Sequence, residues 1–451
     1  MLNYIGLGLI LAAVVVAGIM GRVEKMTTGA IDSASDAVTL SRGLIGIMAL
    51  WLGVMRLAEK SGLVQVIARG IRPVMKRLFP DVPETHPAMG SMVMNMAANM
   101  LGLANAATPL GLRAMKDLEK LNPHPGTATN AMCTFLAINT SSIQLIPATA
   151  VALLASAGSA DPTAIIGTAF IATLFSTAAG IAAVRLLEKL PVFRITATVS
   201  AKDHSEPEEA AAPAEEEPGT LRSMPTWGYV ALIALFLVFS AMFVAQLYPE
   251  WFGRPASAAS GNLLVRAIGT ISLLAIPFIL AFFPTYAALR GLPVYEEFVE
   301  GAKEGFNVAV RIIPFLVTIL VAIGMFRGAG GLDLLAGYTD AAGLRHGGLL
   351  SGPLEAIGFP PDLLPMSLIR SLSGSGSLGI LTDLVKTFGP DHLLTRTAAT
   401  IFASTETTFY VIAVYFGSVA VRRTRHAVPA GLFADAVGVI ASIIICRLMF
   451  A

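Results

Sequence analysis

Runs of apolar residues long enough to cross a bilayer recur along the chain. A hydrocarbon core about 30 Å thick needs roughly 20 apolar residues in a helix, and the segments 4–20, 38–58, 162–185, 226–248, 263–289, 306–327 and 428–449 have that character. Two more, 130–156 and 396–420, are long enough but carry polar clusters at mid-depth. The pattern predicts an all-α, polytopic membrane protein, because lipid offers backbone groups no partner outside their own helix. No Lys or Arg precedes the first run, whereas Arg22 and Lys25 follow it. It is expected to be a retained helix whose C-terminal end faces the cytoplasm, not a cleaved leader.

The interruptions carry as much information as the runs. Over 61–78, Val64, Ile67, Ile71 and Met75 fall on one face of a helix opposite Arg69, Arg72, Lys76 and Arg77, the pattern of a basic amphipathic helix at the cytoplasmic membrane surface. With one obvious span between two basic stretches that both claim the cytoplasm, the segment 27–42 is expected to bend or re-enter. Residues 191–225 break the apolar pattern completely, and their Pro, Ala and Glu content predicts a disordered linker that cannot bury enough apolar surface to order itself. The chain therefore divides into a membrane half over 1–190, the linker, and a second membrane half over 226–451.

Polar clusters recur in both halves. In the first, 86–112 carries Asn95, Asn99 and Asn105 at helix-like spacing, with Thr108 just before Pro109, and 130–148 carries Asn139, Thr140, Ser141, Ser142 and Gln144 before Pro147. In the second, 365–383 alternates Ser and Gly through Ser371, Ser373, Ser375 and Ser377, flanked by Arg370 and Asp383, so a straight helix is not expected there. Thr405, Glu406, Thr407 and Thr408 then occupy the place of Asn139–Ser142 in the first half. Unpaired polar groups in hydrocarbon cost several kcal/mol each, about 2–7 by transfer measures, so they must face protein or a wet cavity. Interrupted segments at matching positions of two halves point to a transporter site at the interface of two repeats, inverted in the membrane. The alternative is that these small and hydroxylated residues only pack helices together. Glu406 and Asp435 are the strongest evidence for function, since a charge at that depth costs about 2.5–3.5 kcal/mol to insert. Both are candidates for coupling to a proton or sodium ion.

Composition narrows the classes. Of 451 residues 55% are hydrophobic and only 14% charged, and the formal net charge is +1, which leaves no field for nucleic acid. Cys133 and Cys446 stand far apart inside apolar runs, so neither a disulfide framework nor a cysteine metal site is expected. No Walker loop, dinucleotide fingerprint or H-E-x-x-H motif is present, and the histidines are scattered. The expectation is a multi-pass protein of the bacterial inner membrane, not an enzyme, with no cofactor. Its partners would be the lipid bilayer, a small polar or anionic solute, a coupling cation and further copies of itself in a homo-oligomer.

The first half, through NMAANMLGLANAATPLGLRAMKDLEKLNP and CTFLAINTSSIQLIPA, resembles the spore maturation protein A family. The second, through IRSLSGSGSLGILTDLV and ASTETTFYVIAVYFGSV, resembles the spore maturation protein B family. Both families fall in the nucleoside-recognition (Gate) group, which includes parts of nucleoside and ferrous-iron transporters. The resemblance implies hairpins and interrupted helices. It nominates Asn95, Asn99, Asn105, Thr108 and Asn139–Ser142 in one half, and Ser371–Ser377 with Thr405–Thr408 in the other, as the residues lining a solute path. A scaffold role in envelope or spore maturation, without transport, is the other function it implies.

Overall fold

The structure, a computed structural model, describes residues 2–102, 104–193, 222–248, 251, 263–331, 334, 338–339 and 345–450. Most of the expected linker lies outside the described residues; at its edges Pro191–Phe193 forms a 3-10 turn and 222–225 leads into a helix. Between its loops the described chain is helical, apart from a two-residue ladder pairing Tyr338–Thr339 with Arg345–His346 and a single bridge between Thr127 and Arg423. Eight helices precede the linker: α1 (Leu2–Met20), α2 (Val23–Lys60), α3 (Leu63–Leu78), α4 (Pro87–Met100), α5 (Ala104–Glu119), α6 (Asn130–Thr140), α7 (Ala148–Ser156) and α8 (Ile165–Leu187). After it come α9 (Thr226–Leu247), α10 (Leu263–Leu289), α11 (Val294–Gly328), α12 (Ser351–Ala356), α13 (Leu364–Leu372), α14 (Gly374–Phe388), α15 (Leu393–Ser404), α16 (Thr408–Gly417) and α17 (Ala427–Phe450). The chain is an all-helical membrane protein: α8, α9, α10 and α17 are each long and apolar enough to span a bilayer. Helix α9 exposes Trp227, Val230, Ile233 and Phe236 and rests on α10 by one face, with Phe239 set edge-on to Phe278 at 5.2 Å. An apolar helix so exposed is at home in lipid, not in water.

The segment 27–42 neither bends nor re-enters. It lies inside α2, a continuous helix of 38 residues and so about 57 Å long at 1.5 Å per residue. Three of its hydroxyls are satisfied within the helix, because Thr27, Thr28 and Thr39 donate back to the carbonyls of Val23, Glu24 and Ser35. Helix α11 lies antiparallel along it, and the two make the most extensive helix contact among the described residues. Backbone meets backbone there: a Cβ on Gly305 would fall 2.5 Å from Met48 O, and one on Gly29 2.6 Å from Gly324 O, the close approach that small residues permit in membranes. At one end of the pair Arg56 Nε donates to Glu297 Oε2 at 2.8 Å. The two basic stretches flanking α2 therefore sit at opposite ends of it.

The amphipathic helix expected over 61–78 forms as α3. It turns Leu63, Val64, Ala68 and Met75 inward, while Lys76 pairs with Glu84 at 2.5 Å on its open side.

Helices α4–α8 and α13–α17 make the polar core, and each set contains a helix that stops and restarts mid-way. Helix α6 ends at Thr140 and α7 begins at Ala148; α15 ends at Ser404 and α16 begins at Thr408. The loops at the ends of these broken helices pair crosswise. The α5–α6 loop meets the α16–α17 loop, where Arg422 N and Arg423 N donate to Gly126 O (2.9 and 3.0 Å) and Ala128 N to Arg423 O (3.0 Å). The α7–α8 loop meets the α14–α15 loop, where Asp391 accepts from Ser159 Oγ (2.6 Å) and Ala160 N (2.9 Å). Helices α8 and α17 pack on each other, and each packs on both α6 and α15.

Candidate functional site

The two breaks touch. Glu406 N donates to Thr140 O at 2.7 Å, joining the last carbonyl of α6 to the unwound link between α15 and α16. A helix that stops inside the membrane strands carbonyls and amides that must find partners. Thr177 Oγ1 from α8 donates to Ser141 O at 2.6 Å, Leu145 N to Met100 O at 3.0 Å, and the Arg370 guanidinium to Thr405 O. Helix α17 is the floor under both breaks. A side chain at Gly438 would meet Thr405 Cγ2 at 2.7 Å and Ser176 at 3.3 Å, so only glycine lets the link lie this close.

Three ionisable side chains meet at the crossing. Arg370, at the end of α13, is buried, with its guanidinium stacked 4.7 Å above the Phe402 ring, 3.4 Å from Thr407 Oγ1 and 3.6 Å from Glu406 Oε2. Glu406 is the accessible member, its side chain 38% exposed, and its Oε1 accepts from Gln144 Nε2 at 3.0 Å. Asp435 on α17 is buried, and its Oδ2 accepts from both Ser371 Oγ (2.6 Å) and Thr408 Oγ1 (2.7 Å), while Oδ1 has no partner. The site thus presents a carboxylate and a carboxamide outward and holds its cation inside.

The structure gathers Gln144, Arg370, Ser371, Thr405, Glu406, Thr407, Thr408 and Asp435 into one cluster. Ser373 caps α14 by accepting from Gly376 N (2.9 Å) and stands 3.4 Å from Ser375 Oγ, while Ser377 turns back to Ser373 O (2.7 Å). Half-buried Ser375 lies at the start of α14, beside this cluster along the chain. The asparagines form a second, adjoining network. Asn95 Nδ2 donates to Ala107 O (2.7 Å), Asn99 Nδ2 to Asn139 Oδ1 (2.9 Å), and Asn139 Nδ2 to Phe135 O (2.8 Å). Thr140 and Ser141 spend their hydroxyls on Ala137 O, at 3.0 and 2.7 Å, and Ser142 Oγ is buried without a partner. Thr108 is half-buried on α5. The side chain of Asn105, in the first turn of α5, lies outside the described residues. Tyr415, Phe402 and Thr177 belong to the cluster too. None stands out in an apolar run, and the fold alone brings them in.

A separate cavity of about 490 Å³ opens at the start of α6, lined by Asp81, Thr129, Asn130, Glu188 and Arg425 among others. It lies roughly the length of α6, ~16 Å, from the crossing.

Residues 41–157, which include the first break, match the Gate family model, described as nucleoside recognition. Spore maturation protein B of Bacillus subtilis (strain 168) is 44% identical over 186 residues, covering 41% of this chain and 98% of its own length. Spore maturation protein A of the same strain is 43% identical over 176 residues, covering 39% of this chain and 90% of its own. The chain belongs to the spore maturation protein A and B families. The two relatives match different parts of it, so one polypeptide carries what resembles two separate proteins in that Bacillus.

Proposed function

We propose that the chain is a secondary carrier for a small polar solute, working through the crossing of the two broken helices. The observation that carries it is Glu406: a carboxylate at a break inside the membrane, open on one side, and tethered through Gln144 and Thr140 to the other break. Breaks of this kind put helix ends and free backbone groups where a solute can use them. The crosswise loop pairs, with α8 and α17 packed on each other and each on both α6 and α15, support two inverted repeats with their axis in the membrane plane. Because Arg370 is covered while Glu406 is open, the favoured solute presents a cationic or hydrogen-bond-donating group; the anionic class is disfavoured. The carrier sits in the bacterial inner membrane, with the end that gathers Lys120, Arg185, Lys189, Arg422 and Arg423 in the cytoplasm by the positive-inside bias.

The test is uptake of radiolabelled uridine, choline and glutamate by proteoliposomes. The wild type is expected to accumulate at least one, and Glu406→Gln to slow it about tenfold to a hundredfold, the loss of a charge-assisted contact of about 1.5–3 kcal/mol. Equal uptake in the two would remove Glu406 from the site. A scaffold in spore or envelope maturation is the second reading. It is favoured by the names of the relatives and by how many of the polar groups already bond across helices. Under it, no probe is taken up, while Glu406→Gln still impairs maturation in the host.

A further inference from the structure

The crossing holds one cation and two carboxyls, and they are unequally placed. Arg370 lies 3.6 Å from Glu406, which the open side can reach, and interacts at longer range with the charge of Asp435, which it cannot. Both hydroxyl donors at Asp435, from Ser371 and Thr408, go to Oδ2, leaving Oδ1 buried and bare. An ionised carboxylate with a whole oxygen unsolvated in a low-dielectric interior is poorly supported, whereas a carboxylic acid needs donors only at its carbonyl oxygen and keeps its proton on the other. The surroundings set no other charge against it. Arg370 faces it from α13 and Glu406 from the α15–α16 link. At this level α6, α8 and α15 bring hydroxyls, Thr140, Ser176 and Ser404, and Asp435 is the acid of α17 itself. With Glu406 ionised, Arg370 has its counter-ion and the cluster is neutral with Asp435 protonated.

We propose that Asp435 carries a proton that is exchanged for a cationic group of the solute at Glu406. This step rests on the carrier function proposed above. When an ammonium or other cation takes the Glu406 carboxylate, Arg370 loses its counter-ion. As the guanidinium turns from Glu406 toward Asp435 it admits a water to Oδ1; the Oδ1–H bond then breaks, its electron pair stays on the carboxylate, and that water takes the proton out to the open side. Asp435 becomes the new partner of Arg370. One positive charge enters and one leaves, so the cluster stays neutral in both states, and neither state strands the buried guanidinium. Departure of the cation reverses each step. The scheme is a one-for-one cation–proton antiport, and Glu406 and Asp435 are alternately the ionised partner of one arginine.

Infrared difference spectroscopy on the protein in lipid tests the exchange with simple cations as probes. At neutral pH the wild type is expected to show the carbonyl stretch of a protonated, buried carboxyl, missing in Asp435→Asn, whose amide still accepts from Ser371 and Thr408. Sodium, choline or ethylammonium is expected to bleach that band and acidify a weakly buffered medium by one proton per cation bound. Glu406→Gln is expected to have lost the band already, because its uncharged amide leaves Arg370 in need of Asp435. A wild type without the band, or with a band that none of the three cations and not Glu406→Gln disturbs, overturns the proposal. Uptake of the same labelled cations by proteoliposomes separates the two ideas. Glu406-dependent uptake with an undisturbed band keeps the carrier and discards the proton exchange. A bleached band with no uptake keeps the linked proton and discards the carrier.

Discussion

Arg370 shows why single residues at the crossing cannot be judged alone. Its guanidinium bonds Thr405 O, reaches Thr407 and Glu406 and lies on Phe402, yet it is almost wholly removed from solvent. A buried charge stripped of its partner destabilises by about 3–5 kcal/mol. Glu406→Gln and Asp435→Asn each leave it one carboxylate, so each is expected to be mild, while the double variant leaves none. The double variant should therefore lose about 3–5 kcal/mol, well beyond the sum of the singles, when unfolding is followed in detergent. Additive losses would show that Asp435 and Glu406 do not share the arginine. Glu406 and Asp435 are legible in the sequence because ionisable groups at depth are rare and need a reason, whereas Arg370 is legible only as the flank of the Ser-Gly run. Thr177, Phe402 and Tyr415 are not legible, since a threonine or an aromatic in an apolar run is ordinary until the fold sets it against Ser141 O, Arg370 or Asn95.

Among the elements, the seam between the α5–α6 and α16–α17 loops has a built-in pH response. His426, just ahead of α17, is fully buried, edge-on to Phe193, and neither ring nitrogen has a partner. Burial, and then the adjacent Arg425 charge, hold its pKa at about 4 against an ordinary 6.5. The unfolded chain binds the proton more readily, so the contribution of the neutral ring is complete above pH 6.5 and is lost as the pH falls toward 4. Unfolding midpoints in detergent should drop across that window in the wild type and stay flatter in His426→Leu. A second prediction concerns the α2–α11 pair. Gly305→Leu drives a side chain into the Met48 backbone and should destabilise by more than the roughly 1–3 kcal/mol of ordinary overpacking. An unchanged midpoint would mean the two helices can part without loss. Periodicity disclosed the apolar helices and the breaks, since Ser-Gly alternation and Thr-Glu-Thr cannot continue a lipid-facing helix. It misjudged 27–42, because hydroxyls that bond back to their own helix look like an interruption, and because the glycines that admit α11 have no meaning until α11 is in place.

For the whole molecule, the contacts order the ends of the helices without reference to a membrane. The α5–α6 loop, the α16–α17 loop and the C-terminal ends of α3 and α8 lie at one end, the last two joined where Arg185 donates to Leu78 O at 2.7 Å. The α7–α8 and α14–α15 loops lie at the other, where Arg396 stacks 4.8 Å over Phe450 at the end of α17. Arg327, at the end of α11, pairs with Asp383 and Thr387 near the C-terminal end of α14, and Lys25 O lies against Gly328, so the start of α2 belongs to this second end. Two basic signals thus compete. Arg22, Lys25, Arg327, Lys386, Arg396 and Arg447 pull one way and Lys76, Arg77, Lys116, Lys120, Arg185, Lys189, Arg422, Arg423 and Arg425 the other, and the orientation bias counts all positive charges near the span ends. The larger group should win, placing Lys25 outside and reversing the orientation that α1 alone suggests. Single cysteines report this directly, because Cys133 and Cys446 are buried and give little background. In intact spheroplasts a membrane-impermeant maleimide should label the Lys25→Cys and Ala160→Cys variants but spare Lys120→Cys and Arg423→Cys until the membrane is opened. The reverse pattern would mean that α1 sets the orientation. Labelling of Ala160→Cys and Lys120→Cys from the same side would be the graver result, since the two broken helices would then not run antiparallel across the bilayer and the crossing could not serve both faces.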